Sequence, residues 1–331
     1  MRKGSITVFA LITMLIVFSI CLYLSYITVM ENHLQNNLKY KLQNNYDLET
    51  SLNYIVNDFN VVDSDINKSI IKYCNSPTIN NKDVIYVKNK DENDEIAADL
   101  EYNLKDNNTY LNISINSPNS NFNAKLKASV DFVNEVFTYN KLPYVNKLSF
   151  IERPDLEDEL VRFFSSIDDS YKIPPLKSGM SSLSLYHSEE IKLKRINANQ
   201  YWVYRNEAIE NYSIMTNEVF IYIENKANYD NVKLTIDSNN KYDYLKGIIY
   251  VEGDIHIINN LNFNGIIIIN GGEIYIDEGK NATITGKIIS NNEFILPDGL
   301  QFKYSPDIMN KYGVYLPNYI KSKIKNVKII Y

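Results

Sequence analysis

Cysteine, histidine and arginine are scarce in this 331-residue chain. Two cysteines occur, Cys21 inside an apolar run and Cys74 far beyond it, and this arrangement excludes a disulfide framework. Three histidines, His33, His187 and His256, leave few metal ligands and few general bases. No arginine follows Arg205, which removes the usual fork for carboxylate sugars from the last third of the chain. No proline precedes Pro77, and no glycine lies between Gly4 and Gly179, so neither common helix breaker interrupts the N-terminal region. Positive charge is also short. Arg2 and Lys3 stand alone in the first thirty residues, leaving 32 basic against 40 acidic side chains beyond them. An acidic body argues against a nucleic-acid partner, because such binding rests on basic contacts to phosphate. With 45% hydrophobic residues, general disorder is excluded, and the length allows about two domains.

Charge is absent from Ser5 to Met30, a run longer than the ~20 residues that cross a bilayer as a helix. Arg2 and Lys3 precede the run and Glu31 follows it. The positive-inside rule then places the N-terminus in the cytoplasm and the body outside, anchored by one span. A cleaved secretory signal would end in a small-x-small site, but this run ends Tyr26-Ile27-Thr28-Val29-Met30. Beyond it, Leu34, Leu38, Leu42 and Tyr46 recur every fourth residue, followed by Leu48, Leu52, Ile55 and Phe59. That is one helical stripe, predicting a helix from Ser5 to about Phe59, roughly 80 Å long, with its second half covered by a head.

The run Lys3-Gly4-Ser5-Ile6-Thr7-Val8-Phe9, with its uncharged helix and amphipathic continuation, resembles the N-terminus of type IV pilin-like proteins. It is most similar to the PilX group of minor pilins, and also resembles Tad-type pseudopilins. The resemblance covers residues 1 to about 59. It implies a leader at 1–4, cleavage by prepilin peptidase after Gly4, and Ser5 as the new N-terminus. It implies a lipid bilayer and other pilin-like subunits as partners, with Phe9, Leu15, Phe18 and Leu22 in a filament core. It also implies that Leu34, Leu38, Leu42, Leu52 and Phe59 pack the head. Most pilins carry Glu where Phe9 stands. The K-type pseudopilins that resemblance places at filament tips lack it too.

Residues 60–135 read as a strand-rich head. Val84 to Val87, Ala98 to Leu104, Tyr110 to Ile115 and Ala124 to Phe132 alternate apolar with polar positions. Residues 136–215 read as a mixed linker region with one short helix from Pro154 to Ile167, and Ile173-Pro174-Pro175 marks a break. Glycine then clusters, with seven of the eleven lying from Gly247 to Gly286. Segments beginning at Gly247, Gly265 and Gly286 line up as an irregular repeat of β-branched strand, polar turn and second strand. Val219 to Ile223 and Val232 to Ile236 would form an earlier unit. Residues 216–331 therefore resemble bactofilin rungs, a short parallel β-helix; an antiparallel sheet with glycine turns is the alternative. The expected class is α+β: long N-terminal helix, strand-rich head, C-terminal parallel β-helix.

Chemistry is sparse. Asp63, Asp65 and Asn67 match the first three ligand positions of a calcium loop, but Lys68 and Cys74 stand where Gly and Glu are required. Asp91, Asn93 and Glu95 fail likewise at Ile96 and Tyr102. Glu252 and Asp254 fall at expected turns, and His256 alternates with Ile255 and Ile257 as a solvent-facing residue. No catalytic, cofactor or metal site is expected, and Cys74 is expected to be buried. The expected function is structural: a minor pilin or pseudopilin at a filament tip. The alternatives are a surface scaffold or adhesin and, third, a tethered carbohydrate enzyme.

Overall fold

The computed structural model describes residues 2–59, 61, 64–77, 81–88, 95–105, 108–117, 124–170, 181–186, 190–197, 200–214, 218–225, 232–238 and 244–331. Asp63, Asp91, Asn93, His187 and the Ile173-Pro174-Pro175 break lie outside them, as does the Glu95 side chain. The fold is α+β. It opens with helix α1 (Arg2–Asp58) and helix α2 (Asp65–Asn75), followed by strands β1 (Lys82–Lys88), β2 (Glu95–Lys105), β3 (Asn108–Asn116) and β4 (Lys125–Val133). A short turn of helix, α3 (Glu135–Thr138), leads to β5 (Tyr144–Val145) and α4 (Pro154–Ser170). Then come β6 (Ser181–Tyr186), β7 (Glu190–Asn197), β8 (Gln200–Arg205), β9 (Ala208–Ile214), β10 (Glu218–Glu224) and β11 (Lys233–Asp237). The chain ends through β12 (Leu245–Val251), β13 (Asp254–Ile257), β14 (Leu261–Ile269), β15 (Ile274–Ile276), β16 (Ala282–Ser290), β17 (Leu300–Lys303), α5 (Pro306–Gly313) and β18 (Ile320–Ile330).

The expected stripe continues into the head only at its distal end. Leu48, Leu52, Ile55 and Phe59 are buried at spacings of four, three and four, against the inner face of an antiparallel sheet. That face is supplied by alternate residues of the meander, among them Leu100, Ile113, Leu126, Val130 and Phe132. Helix α2 closes the other side. Ser64 caps it by accepting from the Asn67 amide, and the Asn67 side chain donates to the Phe59 and Val61 carbonyls. Tyr73 of α2 stacks on Tyr102 at 4.4 Å, and the Tyr102 hydroxyl donates to Ser69.

Two sheets form the rest. The first has the order β6-β10-β12-β14-β16-β17, parallel throughout, with β5 also pairing with β16. The second runs β7-β11-β13-β15 in parallel and is extended antiparallel by the β8–β9 hairpin. From β10 to β16 the chain alternates between them, one strand at a time. The three glycine segments stack in register, Gly247 opposite Gly265 and Gly265 opposite Gly286. A Cβ on Gly265 would lie 1.9 Å from the Gly247 carbonyl oxygen, so only glycine fits this close approach. The antiparallel alternative is excluded by this pairing.

The isoleucine runs after each glycine have a physical cause. Ile249, Ile267 and Ile288 point between the two sheets, whereas Ile248, Ile266 and Ile289 point outward into the core shared with α1, α2 and α5. Strands covered on both faces favour near-continuous apolar runs over alternation. The regions drawn at 60–135, 136–215 and 216–331 thus share a core. Two differences from the sequence expectation follow. The region 136–215, expected as a mixed linker region, holds strands β6 to β9, and β6 and β7 start the two stacks. The last strand, β18, leaves the C-terminal stack and pairs antiparallel with β4, completing the head sheet β1-β2-β3-β4-β18.

Candidate functional site

Up to Gln43, helix α1 is a part of the chain that the body does not use for its own packing. Every described residue from Ile6 to Gln43 is exposed except the half-buried Ile27. These 38 positions extend about 57 Å at 1.5 Å per residue. Phe9 is 72% exposed, and Leu15, Phe18 and Leu22 are exposed by more than half. This is one helix long and apolar enough to cross a membrane, and its apolar window has no residue buried inside the molecule. A secretory signal meets the same criteria of length and composition. Gly4 and Ser5 lie within α1 as backbone.

Three hydroxyls in the apolar run bond carbonyls of their own helix. Thr13 donates to the Phe9 carbonyl, Ser19 to Leu15 and Thr28 to Leu24. These three donors would not be left unpaired in an apolar medium, where an unpaired donor costs several kcal/mol. Leu34, Leu38 and Leu42 correct the expectation that they pack the head. They are 54%, 59% and 57% exposed. The head begins at Asn44, whose Oδ1 accepts from Ser117, and at Leu48. Tyr46 is likewise outside, while Leu52 and Phe59 pack the head as expected.

The other sequence candidates separate. His256 is not simply solvent-facing: its Nε2 lies 2.6 Å from Asp277 Oδ1, and the ring is partly covered. Glu252 accepts from the Tyr250 hydroxyl and from the Asn225 amide, so it fastens a corner between stacked strands. Asp254 accepts from the Glu273 amide in the same way. Cys74 is buried, and desolvation raises its thiol pKa, which leaves it unreactive. Among the described residues no cluster of His, Cys, Asp and Glu has the geometry of a metal site.

Sequence reading missed Lys287. It stands in the column of Ile248 and Ile266, wholly buried, with Nζ donating to the Phe137 carbonyl at 2.9 Å. Burial pushes its amine down to about 7. The visible signal was a lysine where the two aligned segments carry isoleucine. A polar cleft of about 680 Å³ lies nearby, lined in part by Tyr304, Glu135, Arg153 and Lys323. Its charges are paired across elements: Arg153 and Lys323 both bond Glu135, Lys321 bonds Glu159, and Lys325 pairs with Asp131. The cations of β18 thereby fasten that strand to α3, α4 and β4.

No family model, curated protein or solved structure matches this chain.

Proposed function

We propose that this protein is a membrane-anchored structural subunit of a type IV filament, a minor pilin or pseudopilin. One observation carries the reading. A single unbroken helix leaves its first 38 described apolar-to-amphipathic positions bare and plugs only its last turns into an antiparallel sheet. A helix so built has a surface made for other molecules: lipid first, then the helices of neighbouring subunits. The N-terminal pattern Lys3-Gly4-Ser5, with its resemblance to prepilin leaders, supports the same reading.

Under this proposal Arg2 and Lys3 remain in the cytoplasm until prepilin peptidase cuts after Gly4. The segment from Ser5 to Met30 then moves from bilayer to filament core, carrying Phe9, Leu15, Phe18 and Leu22. The alternating parallel strands form a short parallel β-helix fused to the pilin-like head. Phe9 removes the carboxylate that most pilins offer to a neighbour's terminal amine. The 272 residues after Phe59 imply a body on the order of 50 Å across. Both features suit a subunit placed once, at the tip, which has no neighbour above it. The chain is not an enzyme in this reading and uses no cofactor.

The mature N-terminus tests it. Mass spectrometry of the protein from cells with active prepilin peptidase should find Ser5 first, and Gly4→Leu should leave the leader attached. Retention of Met1 or Arg2 in the wild-type protein, or cleavage beyond Met30, overturns the assignment.

A further inference from the structure

We infer that Lys287 is a proton-sensitive latch between the first parallel sheet and the segment 138–145, and that this segment is released when the buried amine takes up a proton. The latch lies where the edge of β16 changes partner. Strand β17 pairs with it up to Thr285, opposite Lys303, and β5 takes over at Ile288, opposite Tyr144. No described strand covers Gly286 and Lys287 between them. There the Lys287 side chain leaves the sheet, wholly buried. It donates to the Phe137 carbonyl at 2.9 Å, with the Tyr304 ring 5.5 Å away. A charged amine so placed would lack a counter-ion, because no described carboxylate pairs with it.

The segment beside the latch is built to give way. Asn140 and Lys141 are successive non-glycine residues with left-handed φ of 45° and 53°. Such a conformation costs strain and persists only where the surroundings hold it. Strand β5 is two residues long, and beside it the Ile288 amide donates to the Pro143 carbonyl at 2.8 Å. From Thr138 to Tyr144 no residue is fully buried. The flanks are firm by contrast. The Phe137 ring meets Phe163 edge-on at 5.3 Å and Tyr319 at 5.1 Å, and Asn146 caps the next turn by accepting from the Ser149 amide. Water is at hand, because Thr138, Tyr139, Asn140, Lys141 and Tyr304 line the polar cleft of about 680 Å³. Release of the segment joins that cleft to the amine.

Neighbouring charges do not neutralise the latch. Glu135 of α3 bonds Arg153 and Lys323, and Lys311 of α5 pairs with Glu218 of β10. Lys141, Lys303 and Asp307 are exposed. Tyr139 packs its ring on Phe150, while Tyr144, Tyr304 and Tyr312 are raised by burial and stay neutral. Strand β14 has no titratable side chain. Burial lowers the Lys287 amine to about 7, and opening returns it toward its ordinary 10.5. The open form thus holds a proton that the closed form sheds across this range. Release grows as pH falls from 10 to 7 and levels off below 7.

Hydrogen exchange read by mass spectrometry tests this on the full-length protein in detergent at pH 9 and pH 7. Rates are expressed as protection factors, which removes the intrinsic pH dependence of exchange. Protection of peptides across 138–145 should be roughly ten-fold or more lower at pH 7 than at pH 9. At both pH values these peptides should be at least roughly ten-fold less protected than those of β12 and β14, which open only with the whole fold. Lys287→Met should leave 138–145 equally protected at the two pH values. Lys287→Ile, the residue that the two aligned segments carry, serves if the methionine variant does not fold. Protection of 138–145 independent of pH in the wild type would overturn the inference. So would protection equal to that of β12, or a pH difference that survives replacement of Lys287.

Discussion

The two ends of helix α1 carry the same kind of apolar stripe and meet opposite fates. Leu34, Leu38 and Leu42 stand bare, whereas Leu48, Leu52 and Ile55 are sealed by the head sheet. Spacing and residue type are alike, so periodicity says which face of a helix is apolar but not what covers it. The difference comes from chain that folds back onto α1, first α2 and then β3 and β4, and from how far along the helix that cover reaches.

Substitution is the sharpest way to break this comparison. Ile55→Asp would bury an unpaired carboxylate under the sheet and should cost about 3–5 kcal/mol, enough to unfold much of the head. Leu38→Asp, on the same helix, should stay within about 0.5 kcal/mol. Denaturant unfolding of the detergent-solubilised protein measures both. Equal costs at the two positions would mean that the proximal stripe is covered after all.

A smaller effect is expected at Lys287, the polar exception in the covered isoleucine columns. Its folded pKa is lowered to about 7, so between pH 7 and 10.5 the unfolded chain holds a proton that the folded one has shed. Stability should therefore rise as pH increases from 7, and below pH 7 the full cost of the buried charge is present. The rise is best read below pH 9. Above that, the raised pKa of the buried Cys74 thiol acts in the opposite direction, because the unfolded thiol ionises first. Lys287→Met should flatten the rise. It should also stabilise the protein at pH 7 by about 1–3 kcal/mol, after the loss of the bond to Phe137 is allowed for. A steeper pH dependence in the variant would contradict this.

The smallest effect concerns β18. Its Lys323 is mostly exposed and bonds Glu135. Lys323→Ala should cost about 0.5 kcal/mol at low salt and nothing measurable near 1 M salt, by the same unfolding measurement. A salt-independent loss would show that the side chain acts by packing.

The parts of the fold legible in the sequence were those set by local pattern. Uninterrupted helix from Ser5 to Phe59, four alternating strands between Val84 and Phe132, and Pro154 opening a helix all appear where their periodicity puts them. The glycine column was legible as well, because a backbone approach that admits only Gly247, Gly265 and Gly286 leaves its mark in spacing. Long-range partners left no such mark. Strand β18 alternates Lys with Ile and Val beside a strand nearly two hundred residues earlier, and no local signal names that neighbour. Lys192, Thr235, His256 and Tyr275 likewise fall side by side only once four strands distant in sequence are paired in register. Lys287 was legible only as a mismatch within the repeat, since the apolar surroundings that shift its amine come from α3 and Tyr304.

The central claim is that the bare part of α1 assembles into a filament with one large body at its end. Immunogold labelling of surface filaments with antibody against the body tests it most directly. The account predicts gold at filament tips and in low copy. Gold spaced evenly along the shafts would contradict the tip position. Gold confined to the cell envelope, with filaments present and unlabelled, would contradict the filament assignment itself.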